Sequence, residues 1–234
     1  MFNLFSTSNL FFIFGKLIKF IESIFFALLI SGLTLALFLS PPDYIQGDSV
    51  RIMYIHVPSA WISLMCFTTI SLMSFFHLVF KIKKFYPFTK SIAPIGLLFT
   101  CMAVATGSVW GKPTWGSWWV WDARLTSMIV LMFFYIAYIF VFKLVSDDSK
   151  SNKISSYIAL IGAINIPIIK YSVDWFNTLH QPASIKIGSS SIHPSMLIPL
   201  LLMLLVFLAY CALIFLMKYR IEIIKIKAKN INRL

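Results

Sequence analysis

Six blocks of predominantly apolar residues, roughly 21–40, 57–80, 91–110, 125–143, 154–171 and 194–217, alternate along the chain with polar intervals of roughly 10 to 22 residues. As a helix, each block is long enough to cross a hydrocarbon core that needs about 20 residues. The pattern therefore predicts an all-α integral membrane protein, a bundle of six transmembrane helices. No linker, low-complexity tract or internal repeat marks a boundary, so residues 1–234 are expected to form a single six-span membrane domain. Pro94, Pro167 and Pro199 fall inside blocks three, five and six, where membrane helices tolerate proline.

Composition agrees with the pattern: 59% of the 234 residues are hydrophobic, 12% are charged and the mean hydropathy is +0.87, a balance foreign to soluble domains. Charge then orients the bundle. Fifteen of the 20 Lys and Arg fall on one side of the blocks: Lys16 and Lys19, Lys81 to Lys90, Lys143 to Lys153, and the tail from Lys218 to Arg233. Cytoplasmic loops retain positive charge, so both termini are expected in the cytoplasm, with external loops near 41–56, 110–124 and 171–193. The net charge of +12 reflects this bias and attraction to anionic headgroups in the lipid bilayer, and gives no reason to expect nucleic acid as a partner. The tail "KYRIEIIKIKAKNINRL" reads as an anchor at the membrane surface, and the first 20 residues, which lack the layout of a signal peptide, as an interfacial segment.

Several function classes lose ground. The string "GSVWGKP", Gly107 to Pro113, falls short of a phosphate loop by one residue between its glycines and by Pro in place of Ser or Thr, so the chain is not expected to hydrolyse ATP. No Asp or Glu lies near the middle of a block, where an ion-coupled transporter places one. Cys66, Cys101 and Cys211 form neither Cys-x-x-Cys nor Cys-x-x-Cys-His.

The seven tryptophans gather on the expected external side: Trp61 one turn into block two, Trp110, Trp115, Trp118, Trp119 and Trp121 in the second external interval, Trp175 in the third. An aromatic belt would populate both interfaces, so the asymmetry suggests a site as well as anchoring. If residues 115 to 125 were helical, Trp115, Trp118, Trp119 and Asp122 would share one face, a shelf for a planar apolar ligand. His56, His180 and His193 are also expected outside, whereas His77 sits roughly 30 Å away along the second helix and cannot share a metal with His56. Imidazoles, an indole shelf, and the cations Arg51, Lys112 and Arg124 together suit haem, which offers iron two axial positions and carries two propionates. A quinone or lipid-linked sugar would use the shelf without the histidines. Asp122 has a second reading, as the cap of the fourth helix.

The segments "WGSWWVWDARLTS", "MYIHVPSAW" and "DWFNTLHQPASI" resemble the haem-handling WWD proteins of cytochrome c maturation, and with the chain's length and six blocks they resemble the CcmC, or haem exporter protein C, family from about residue 20 to 217. The resemblance implies a multi-pass protein of a bacterial inner or a mitochondrial inner membrane that binds haem b non-covalently at the outer face through axial His56 and His180. Trp115, Trp118, Trp119, Trp121, Asp122 and Arg124 would belong to the haem platform. It implies transfer to a membrane-anchored, CcmE-like haem chaperone, with a small single-span CcmD-like partner and an ATP-binding cassette complex like CcmAB, and no role as an enzyme. No family role falls on His193. The alternatives are a haem transporter or permease subunit, a haem-based electron carrier, and the longer WWD proteins that attach haem to apoproteins.

Overall fold

The computed structural model describes residues 7–82, 85–182, 184–186 and 188–231. Lys83, Lys84 and Arg233, counted above in the charge bias, lie outside the described residues, as does the start of the proposed interfacial segment. Among the described residues seven α-helices follow one another: α1 (Thr7–Thr34), α2 (Met53–Phe80), α3 (Tyr86–Trp115), α4 (Ala123–Leu144), α5 (Asp148–Ala163), α6 (Asn165–Trp175) and α7 (Pro194–Ile231). They make six stretches long and apolar enough to cross a membrane, α5 and α6 together forming the fifth. Apart from these, two strands of two residues each, β1 (Ile185–Lys186) and β2 (Ser189–Ser190), pair in the loop before α7.

Helix ends follow local chemistry. A π-helical turn, Leu35–Leu39, prolongs α1 until Ser40, whose extended backbone (φ −69°, ψ 139°) is what a residue before Pro41 requires. Asp147 caps α5, accepting from the Lys150 N–H at 2.7 Å. The fifth span breaks at Ile164 because Pro167 lacks an N–H and its ring crowds the carbonyl one turn back. The side-chain amide of Asn165 donates to the Ser127 carbonyl at 2.8 Å, tying that break to α4.

Within a bilayer, close approach and interhelical hydrogen bonds hold helices together, because lipid is as apolar as the core. At Gly96 on α3 the fully buried Tyr135 of α4 lies so near that a Cβ would come within 2.1 Å of its hydroxyl oxygen. That hydroxyl donates to the Ser63 carbonyl of α2 at 2.7 Å, and Ser63 shares a hydrogen bond of 2.5 Å with Thr100 of α3. Gly162 of α5 admits Phe67 of α2 in the same way. Phe67, Ile70, Phe99 and Leu131 fill the space between these contacts. α1 packs along α7 and turns Phe20, Phe26 and Ile30 outward, as the π-helical turn does Phe38. At the lysine-rich end Glu222 of α7 pairs with Lys90 of α3 at 3.0 Å and with Lys225 at 2.9 Å.

Candidate functional site

His56 lies in the first turn of α2, and the approach to that turn is pinned by Arg51. The Arg51 guanidinium donates to the carbonyls of Leu37 (2.7 Å) and Ser40 (3.3 Å) and pairs with Asp48 at 3.1 Å. Thus Arg51, expected above among the cations for propionates, is engaged in closing the 3-10 turn Asp48–Ile52 onto the end of α1. The imidazole of His56 reaches α3, its Nδ1 lying 3.0 Å from the Ala103 carbonyl and 3.2 Å from the Thr106 hydroxyl. A carbonyl only accepts, and Thr106 gives its own proton to Met102 at 2.6 Å, so Nδ1 carries the hydrogen. Nε2 is left with its lone pair. Gly107 provides the seat, since a Cβ there would stand 2.9 Å from His56 Cε1. Trp110 meets the ring edge to face at 5.6 Å and donates its indole N–H to Gln46 at 2.9 Å.

The tryptophan-rich segment differs from the helical shelf considered above. α3 runs through Trp115 and stops at Gly116, whose φ of 78° is left-handed, with its N–H closing on the Lys112 carbonyl at 3.0 Å. Lys112 also donates its ammonium to the Gly116 carbonyl at 3.1 Å. Residues 116–122 form a loop, so the shared helical face is not present. Ser117 donates to the Trp119 carbonyl and Ser108 to the Trp118 carbonyl, both at 2.8 Å, which holds the loop against α3. Trp118 and Trp121 are 56% and 76% exposed, whereas Trp115 and Trp119 are half-buried. Trp119 meets Trp121 edge to face at 5.6 Å, and its own indole N–H is buried with no hydrogen-bond partner.

Asp122 ends the loop with extended backbone and caps α4, one carboxylate oxygen accepting from the Leu125 N–H at 2.8 Å. The other oxygen accepts the hydroxyl of Thr178, in the loop after α6. Thr178 in turn accepts the backbone N–H of His180 at 3.1 Å. The loop brings the His180 ring to 6.4 Å from that of His56, centre to centre, with 35° between their planes, and to 6.2 Å from Trp115. His180 Nδ1 faces the Gln181 carbonyl at 3.0 Å and must donate to it, which again frees Nε2. Burial and, after it, the positive charge of Arg124 lower the His180 pKa from 6.5 to about 4, so the ring is neutral at pH 7. Arg124 itself is half-buried; Asp122 and Asp174 act on it electrostatically, but among the described residues it has no ion pair within 4 Å.

Two histidines stand apart. Nδ1 of His193 accepts from the N–H of Ser195 at 3.3 Å, and its carbonyl accepts from Met196 at 2.9 Å, so His193 serves the start of α7. His77 lies at the lysine-rich end, its Nδ1 3.2 Å from the Ile82 carbonyl. Trp61 packs among the apolar residues around Tyr54, and Trp175 stacks on Tyr171 at 5.4 Å. Among the described residues, no group of three or more His, Cys, Asp or Glu is placed to hold a metal ion. Ala103, Thr106, Gly107 and Thr178 were not anticipated. Of the GxxxG pair Gly107 and Gly111, Gly107 faces a neighbouring helix, where the His56 ring of α2 occupies the space a side chain would take.

Comparison with known proteins gives a consistent result. Residues 1–233 match the CcmC family, described as heme exporter protein C. The chain is 44% identical over 195 residues to heme exporter protein C of Bradyrhizobium diazoefficiens, covering 83% of this chain and 74% of that protein. Against heme exporter protein C of Haemophilus influenzae the identity is 40% over 217 residues, 92% of this chain and 88% of the other. A cytochrome c biosynthesis ccmC-like mitochondrial protein of Marchantia polymorpha is 45% identical over 186 residues, 80% of this chain and 79% of its own.

Proposed function

The chain belongs to the heme exporter protein C family, whose members handle haem for cytochrome c maturation, and we propose that it holds haem b at the tryptophan-rich end of the bundle and presents it to a membrane-anchored, CcmE-like chaperone. The observation that carries this reading is the His56–His180 pair, two rings 6.4 Å apart whose Nδ1 hydrogens are both spent on backbone carbonyls. Metal–nitrogen bonds of about 2 Å on either side of one ion place ring centres roughly 6 Å apart, so the spacing suits a bis-imidazole clamp. Two protein ligands hold a bare ion poorly; haem supplies the other four nitrogens itself.

The surrounding groups suit the same cargo. Trp115 beside His180 and Trp110 beside His56 offer aromatic surface next to both rings. Arg124, without an ion pair among the described residues, and the unpartnered indole N–H of Trp119 are available for propionates. Holding through the iron leaves an edge of the porphyrin for a partner, next to the exposed Trp118 and Trp121. Below the pair, the core is filled by Phe67, Phe99 and Tyr135, which favours presentation at the surface over passage through the chain. The tryptophan-rich end then faces the outer side of a bacterial inner membrane, or the equivalent side of the mitochondrial one. A small single-span CcmD-like protein and a CcmAB-like ATP-binding cassette complex are its proposed companions.

His56→Ala and His180→Ala test the clamp by the absorption spectrum and haem content of purified protein. Each variant is expected to lose most of its haem or its six-coordinate spectrum. Unchanged haem and spectrum in either would overturn the clamp.

A further inference from the structure

His180 sits in a loop without regular secondary structure, between α6 and the β1–β2 pair. Its backbone needs a tether if its ring is to stay 6.4 Å from His56. We propose that Thr178 is that tether, a positioning residue that fastens His180 to the tryptophan-rich loop through Asp122; this rests on the reading of His180 as an iron ligand.

Hydrogen-bond polarity fixes how the tether works. A threonine hydroxyl has one proton and two lone pairs, whereas an ionised carboxylate only accepts. Thr178 therefore donates its proton to Asp122 in a charge-assisted bond and uses a lone pair for the N–H of His180. The second oxygen of Asp122 is already held by the Leu125 N–H in the first turn of α4. A continuous path thus runs from the rigid start of α4, through one carboxylate and one hydroxyl, to the main chain of His180. Asp122 also follows Trp121 directly and Trp119 by three residues. A ligand that shifts the tryptophan loop shifts the anchor of His180 with it. The acidic residue of the WWD segment thereby has its structural partner in the loop that carries the second histidine.

The threonine hydroxyl can be removed at nearly constant volume. Thr178→Val deletes both bonds, Thr178→Ala deletes them with a smaller side chain, and Thr178→Ser keeps them. The full-length protein would be purified in detergent, loaded with haem, and examined by absorption spectroscopy, haem titration and thermal melting, with His180→Ala alongside. We expect Thr178→Val to bind haem roughly 10- to 100-fold more weakly, as happens when ligand-orienting residues are lost. Its six-coordinate spectrum should be lost and then restored by free imidazole, while Thr178→Ser matches the parent protein. A folded Thr178→Val protein with unchanged spectrum and affinity, while His180→Ala is altered, would overturn the tether and leave the clamp standing. An unchanged His180→Ala would instead overturn the clamp and the tether with it. Failure of both Thr178→Val and Thr178→Ala to fold, with Thr178→Ser normal, would assign the hydroxyl to stability and also overturn the proposal.

Discussion

A methyl group on residue 107 would stand 2.9 Å from Cε1 and 3.3 Å from Nδ1 of His56. Either the imidazole moves or α3 does, and the ring is held to α3 by the Ala103 carbonyl, so Gly107→Ala is expected to tilt His56 away from His180. The proposed clamp should then bind haem about 10-fold more weakly with a shifted spectrum, in a protein that still folds, and haem titration of the purified variant checks it. An unaltered titration would show that the seat has slack. Position 107 illustrates what sequence conveys at this scale. A histidine at a membrane edge and an acidic residue before an apolar block are visible as types, and Asp122 as a cap was read from its place alone. The groups that orient the imidazoles were not visible. Ala103 and Gln181 contribute only backbone carbonyls, which every residue carries, and Thr178 meets Asp122 across 56 residues of chain.

Between elements, the contact of α3 with α4 rests on one glycine facing one tyrosine. Gly96→Ala would place its Cβ within 2.1 Å of the Tyr135 hydroxyl oxygen and 2.3 Å of Cζ, with both residues buried. Overpacking of this kind costs about 1–3 kcal/mol. Tyr135→Phe removes only the bond to Ser63, worth roughly 0.6 kcal/mol in a membrane bundle. Thermal unfolding in detergent is therefore expected to rank Gly96→Ala well below Tyr135→Phe, and the reverse order would mean that the polar bond matters more than the close approach. The six spans were legible because hydropathy reports where lipid must be met. Helix ends outside the apolar blocks were not, since water imposes no such pattern: α3 extends to Trp115 and α7 to Ile231. The tryptophan loop is unwound by a single left-handed glycine, and periodicity, which gives a shared face only if the segment is helical, does not register one such residue.

For the molecule as a whole, one end carries the paired histidines and the tryptophan loop, and the other carries Lys90, Glu222 and Lys225 in one ionic cluster. Which end faces the cytoplasm decides whether a partner outside the membrane can reach the site. The sequence assigns fifteen of 20 basic residues to the side opposite the tryptophans, and retention of positive charge in the cytoplasm predicts that this side lies within. Two exposed serines report the arrangement: Ser189 in β2, beyond His180, and Ser149 at the start of α5. In a background with Cys66, Cys101 and Cys211 replaced, Ser189→Cys is expected to react with a membrane-impermeant maleimide on intact bacterial spheroplasts. Ser149→Cys should react only after lysis. The opposite pattern would put the histidine pair on the cytoplasmic face, where it would collect haem from the cell interior, and the proposed transfer to an outer-face chaperone would lose its geometry. Labelling of both sites in intact cells would show that the bundle inserts in two orientations, and the charge bias would then be too weak to set its direction.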